Sequence, residues 1–298
     1  MVGLSFGQEE GIYNIQTNRL AKDQSPPSLS IFDDRSTLKV AIETDQKKLL
    51  SNLDDPKKQD GILTLYINDS IKIVKKIGIK VRGDTRKTIC DLPPLKIDLN
   101  DTEFLSDWFG KITSLKLVNT CSETARANNY LHEEYIMYEM YRTLTDISYR
   151  VRLLKLQIHD SQNDLSDIYE FGFVIENDKS VAARTGLKET ELADTNIGEL
   201  LNTFYLDPGE QTLFSMNVLS IFQYMTGNTD WHITGLHNLK IFGNNEVKYA
   251  IPYDFDYAGF VNADYAVPSP NLPSSKYLFV FSFFLTFFLS ISPLPTSR

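Results

Sequence analysis

Cysteine is almost missing from this chain, with two residues, Cys90 and Cys121, among 298. Neither belongs to a CxxC or CxxH pair, which excludes a structural zinc site built on that spacing. The two thiols either pair as one disulfide in an exported protein or stay apart and buried. A basic block is missing too. Lys and Arg number 30 against 39 Asp and Glu, a net charge of −9. With no stripe to follow a phosphate backbone, no nucleic-acid partner is expected. The opening MVGLSFGQEE has neither a basic stretch nor an apolar core, so no export signal is expected in it, and the compartment stays open. Long apolar runs are absent with one exception, YLFVFSFFLTFFLSI at 277–291. That run is about five residues short of a comfortable membrane span. Three readings stand for the 274–298 tail: membrane contact, a buried end segment, and a gene-end artefact, of which the last is preferred.

What remains has the composition of a globular protein, 42% hydrophobic and 23% charged. Residues 1–30 are polar, contain SPPS, and read as a leader or linker. Alternation then dominates. ILTLYI and IGIKV flank Asn68-Asp69-Ser70 and predict a hairpin. LKIDL puts Leu95, Ile97 and Leu99 on one face and Lys96 on the other. A helix free of Gly and Pro is predicted over 123–144. RVRLLKLQIH and YEFGFVIE read as two further strands. TLFSMNVLSIFQYMTG reads as a helix stopped at Gly227. HNLKIF and VKYAIPYD form a hairpin about Gly243-Asn244-Asn245. The order predicts an α+β protein of two lobes, like a protein kinase: a β-rich region over 31–176 with one helix, and a mostly helical region over 177–273.

Chemistry concentrates in two stretches, GNTDWHITGLHN at 227–238 and IPYDFDYAG at 251–259. Phosphoryl transfer needs an orienting carboxylate, a divalent metal on oxygen ligands and a cation at the phosphates. Mg²⁺ takes one or two carboxylates together with water and other oxygens. Asp230, then Asn238, then Asp254 after a hairpin fits that requirement. Asp256, two residues on, shares a strand face with Asp254 if the strand continues. The bland alternative is that Asp254 or Asp256 caps a turn. His232 and His237 are spaced by five, which suits no common zinc or iron motif, and read as packing or hydrogen-bonding residues.

These stretches, with GIKVRGDTRKTICDLPPLKIDL and SLKLVNTCSETARANNYLHEEYIMYEMYRTLTD, resemble the spore coat protein H-like (CotH) atypical kinases, through a distant bacterial branch. The resemblance covers about residues 31–273. It implies a kinase-like fold, ATP, Mg²⁺ and a protein substrate with a hydroxyl acceptor. Carried over, Asp230 is the catalytic carboxylate, Asn238 and Asp254 hold metal, and Asp256 supports either. Lys96 is the favoured phosphate-facing cation, with Arg82 and Lys116 as competitors. Its partner is Glu134, which the resemblance prefers to Glu133. Glu176 would end the strand leading to the interlobe linker, its backbone meeting adenine.

Two departures weigh against activity. No GxGxxG loop is present, with Arg82-Gly83-Asp84-Thr85 as its only substitute. The second lobe is expected to be short of its end after AVPSPNLP. A catalytically inactive pseudokinase or binding module, and a metal-dependent phosphohydrolase, are therefore kept as alternatives.

Overall fold

The computed structural model describes residues 31–51, 53–68, 70–83, 86–99, 112–122, 124–190 and 196–267. The leader, the apolar run at 277–291, the rest of the tail after Val267, and Asp84-Thr85 lie outside the described residues.

Seven strands close a barrel. They are β1 (Leu38–Thr44), β2 (Gln59–Tyr66), β3 (Lys72–Val81), β4 (Leu95–Asp98), β5 (Ser114–Asn119), β6 (Val151–Asp160) and β7 (Ile168–Ile175), in the spatial order β1-β2-β3-β4-β5-β7-β6. All pairings are antiparallel except the closing one, where β1 runs parallel to β6 from Leu38↔Leu154 to Thr44↔Asp160. Alternation makes this interior: Val40, Ile42, Leu63, Leu65, Ile77, Ile79, Leu95, Ile97, Leu117 and Leu156 all point inward and are buried. Closure removes the exposed edges that an open sheet would present.

A second core forms beyond the barrel. Helix α3 (Ala125–Leu144) contributes Leu131, Met137, Tyr138 and Tyr141. It begins at Thr124, whose side chain accepts a hydrogen bond from the Ala127 N–H. Helix α6 (Glu210–Met225) adds Met216, Leu219 and Phe222. A three-stranded sheet, β8 (Lys188–Thr190), β9 (Leu239–Gly243) and β10 (Lys248–Pro252), supplies Ile241, Phe242, Ala250 and Ile251. Shorter helices complete the layer: α1 (Gln46–Leu50), α2 (Arg86–Ile89), α4 (Asp178–Thr185) and α5 (Ile197–Leu201), the last running into a π-helical turn at Asn202–Leu206. No helix among the described residues is long and apolar enough to cross a membrane.

The expected two-lobed kinase-like architecture, with a mostly helical second half, is therefore corrected. The first part is a closed mixed barrel rather than an open β-rich lobe, and the second part carries a sheet beside few helices. Three strands have no counterpart in the sequence reading: β1, β5 and the three-residue β8. LKVAIET (β1) has a burial pattern with three adjacent buried residues, so its alternation is blurred. SLKLVN (β5) is followed by α3 with no Gly or Pro stop between them. A period of two reports which face is buried and is the same in open and closed sheets, so it carries no information on closure.

Cys90 and Cys121 form a disulfide, 31 residues apart in sequence. It joins the residue after α2 to the residues that lead into α3. The Asp91 N–H donates to the Cys121 carbonyl at 2.9 Å beside it.

Candidate functional site

Both acidic stretches arrive together because β9 and β10 pair. Leu239 lies opposite Pro252, so Asn238 and Tyr253 leave the hairpin side by side, and the Tyr253 N–H donates to the Asn238 carbonyl at 3.1 Å. Asn238 then reaches back to Asp230. Its Nδ2 donates to the Asp230 carbonyl at 2.8 Å and to Oδ2 at 3.0 Å. Both partners are acceptors, which fixes the amide orientation and leaves Oδ1 as the unspent oxygen. On its other side, Asp230 Oδ1 meets His237 Nε2 at 2.9 Å.

Asp254 has left the strand. Its φ is +60°, in the left-handed region, as are those of Asn238 at +50° and Leu236 at +47°. Left-handed backbone at three non-glycine residues of the two acidic stretches is strain that the surroundings must hold. Part of the hold is Tyr138, whose Oη accepts the Asp254 N–H at 2.8 Å. Asp254 is exposed at the surface, and among the described residues its carboxylate accepts no hydrogen bond. The protein mass packed around it nevertheless desolvates it, and that desolvation, then Asp256, push its pKa up to about 6 against the pull of Arg86 and Arg82. Asp230 adds to the push, which places the two carboxylates within each other's field.

Asp256 does not share a strand face with Asp254, because β10 ends at Pro252. It is buried, and its Oδ2 takes Arg86 Nε at 3.2 Å and the Tyr265 hydroxyl at 3.2 Å. Glu134, on the buried side of α3, meets Arg86 Nη2 at 2.7 Å. Glu133 is only partly covered. One cation, Arg86, thus serves two buried carboxylates directly and is held well above its ordinary pKa by Glu134 and Asp256 despite its burial. Burial pushes Glu134 up to about 7 even with Arg86 in contact. Desolvation is the leading cause for both Asp254 and Glu134, and the neighbouring carboxylates add to it.

The three proposed phosphate-facing cations are sorted by the barrel. Lys80, Lys96 and Lys116 are direct cross-strand neighbours on the outer faces of β3, β4 and β5. Lys96 lies 3.7 Å from Asp98 and is 40% exposed. Lys116 is drawn deeper, 3.5 Å from Asp178 and over the Tyr149 ring. Desolvation lowers its pKa, Asp178 opposing and Arg82 assisting. Arg82 acts on both Lys116 and Asp254, so it stands between the barrel face and the acids. Its Nε is buried and has no hydrogen-bond partner, and no ion pair engages its guanidinium among the described residues. Glu176 is apart from this group. Its fully buried carboxylate is gripped by Arg150 at 3.0 Å and Arg184 at 3.0 Å.

The structure therefore brings together Asp230, Asn238, Asp254, Asp256, Glu134 and Arg82, and sets Lys96 and Glu176 outside that cluster. The sequence reading missed Arg86, Tyr138 and Tyr265. Arg86 had a signal, since it lies four residues after Arg82 and a cluster of four acids calls for more than one cation. Tyr138 and Tyr265 had none, because long-range hydrogen bonds leave no trace in local spacing.

Among the described residues no group of three or more His, Cys, Asp and Glu side chains is arranged to hold a metal ion. The oxygen groups of the two acidic stretches are the Asp254 carboxylate, the Asn238 amide oxygen and the Asp230 carboxylate, the last two joined by hydrogen bonds through the Asn238 amide nitrogen. Compared with known families and with curated proteins, the chain matches no family model and no curated relative.

Proposed function

We propose that this chain is an ATP-dependent, Mg²⁺-assisted phosphotransferase acting on a protein hydroxyl. The supporting observation is Asp254: an exposed carboxylate with no hydrogen-bond donor among the described residues, pushed up to about 6, and within the field of Asp230, whose Oδ2 takes the Asn238 amide. A group so placed is short of positive charge, and a divalent cation supplies it. Asn238 and Asp254 would hold the ion, whose chemistry is to neutralise charge on the phosphoryl oxygens. Arg82, with its unpartnered Nε, would face the phosphates. Asp230 would orient the acceptor hydroxyl and take its proton as the oxygen attacks. Arg86 bridges Glu134 and Asp256 behind the site and so braces the turn that carries Asp254.

The test is thermal unfolding with and without Mg·ATP. Wild type is expected to melt several degrees higher with saturating Mg·ATP, since a ligand at about 100 times its Kd adds about 2.7 kcal/mol. Asp254→Ala is expected to lose that shift. A wild type whose melting does not respond contradicts the proposal. The missing glycine-rich loop favours a second reading, a nucleotide-binding module without transfer. Protection by Mg·ATP with no labelled product would select it.

A further inference from the structure

The loop from Asp230 to Asn238 is built around two histidines. His232 and His237 exchange backbone hydrogen bonds, N–H to carbonyl at 3.2 Å and 3.1 Å, forming a two-residue antiparallel bridge. Their rings stack, 5.3 Å between centroids and 14° between planes. His232 is fixed from beneath, where its Nδ1 accepts the Gly235 N–H at 3.1 Å. That leaves Nδ1 as the acceptor nitrogen and places the ring proton on Nε2. Gly235 is required by this arrangement, because a Cβ there would come within 2.4 Å of the His232 ring. The stack ends at His237, and His237 Nε2 points to Asp230 Oδ1 at 2.9 Å. Asn238 holds Oδ2 of the same carboxylate. Asp230 is thus clamped from both oxygens by donors on neighbouring residues of one loop.

An arrangement with a stacked platform, a glycine cut to fit it and left-handed backbone at Leu236 and Asn238 is costly for a mere turn. A turn needs only one Asx-type bond, and Asn228 already supplies it by accepting the Asp230 N–H at 3.0 Å. We propose that His237 is a positioning residue for Asp230: its Nε2–H donates to Oδ1, fixes the carboxylate plane and leaves the remaining lone pairs for the acceptor hydroxyl, while His232 holds the His237 ring in register by stacking. The inference rests on the phosphotransferase reading and adds the residue that aims its carboxylate. Orientation of a reacting group is worth orders of magnitude in rate, and it is lost when the group swings by a rotamer.

Two substitutions separate the donor from the ring. His237→Phe keeps the stack on His232 and removes the donor; His237→Gln keeps a donor amide and removes the stack. The full-length chain is assayed with γ-labelled ATP, Mg²⁺ and a mixed Ser/Thr/Tyr peptide library as acceptor, with folding checked by thermal melting. His237→Phe is expected to lose about 100-fold in kcat with KM for ATP within about twofold. His237→Gln is expected to retain kcat within about tenfold of wild type. A His237→Phe enzyme as fast as wild type overturns the assignment, and so does an equal fall in both variants. Absence of transfer by the wild type instead overturns the phosphotransferase reading, and the assignment with it.

Discussion

At the scale of single residues, the site is defined by which groups lack a partner. Asp254 lies within the field of Arg82 without an ion pair between them, whereas Arg86 is committed to Glu134 and Asp256. Removing a committed charge leaves its partners buried and uncompensated. Arg86→Met is accordingly expected to destabilise by about 3–5 kcal/mol, read by urea unfolding, far beyond what a surface pair contributes. Tyr138→Phe takes the acceptor away from the Asp254 N–H and is expected to cost about 1–3 kcal/mol. The acids also impose a pH dependence. The folded pKa values of Asp254, about 6, and Glu134, about 7, lie above the unfolded values near 4. The folded chain therefore holds more protons between those limits. Their contribution to stability is complete below about pH 4 and is lost as pH rises through 6 to 7. A divalent cation competes with those protons, so Mg²⁺ is expected to raise the melting temperature more at pH 8 than at pH 5. Equal shifts at both pH values would place the cation elsewhere.

At the scale of elements, two fastenings hold the site. The β9–β10 hairpin aligns Asn238 with Tyr253, and the disulfide ties the end of α2 to the entry of α3. Arg86 on α2 and Glu134 on α3 meet across that tie. A 31-residue separation gives a cross-link contribution of about 3–4 kcal/mol by chain entropy. Reduction by dithiothreitol, or Cys90→Ser with Cys121→Ser, is expected to lower stability by that amount and to weaken the Mg·ATP shift as Arg86 loosens. Most of these elements were legible. The hairpin about Gly243, the helix over 123–144, observed as Ala125–Leu144, and the helix ending before Gly227 all declared themselves by period and by stop residues. Leu95 and Ile97 are buried and Lys96 points outward, as alternation required. The continuation of β10 to Asp256 was not legible. The left-handed turn at Asp254 is held in part by Tyr138, which lies 116 residues away in sequence.

At the scale of the whole molecule, burial patterns stated that β2, β3 and β4 each cover one face, but not that β1 would turn parallel to β6 and shut the barrel. That pairing is non-local, and its partners are chosen by the global fit of the sheet rather than by either strand. The candidate site is positioned by this closure all the same. Strands β3 to β5 turn Lys80, Lys96 and Lys116 outward because their alternate residues fill the barrel, Arg82 follows the end of β3, and the second core sets Asp254 within the field of Arg82 and Asp178 beside Lys116. A basic barrel face against an acidic hairpin is the arrangement that suits a phosphate bridged to a cation. The most direct measurement is incubation of the wild-type chain and Asp230→Ala with Mg²⁺ and ATP labelled at either the γ or the α phosphate. Label reaching protein from the γ position only, and at least 100-fold less of it with Asp230→Ala, is the predicted result. Label from the α position, or equal labelling by both chains, would contradict it.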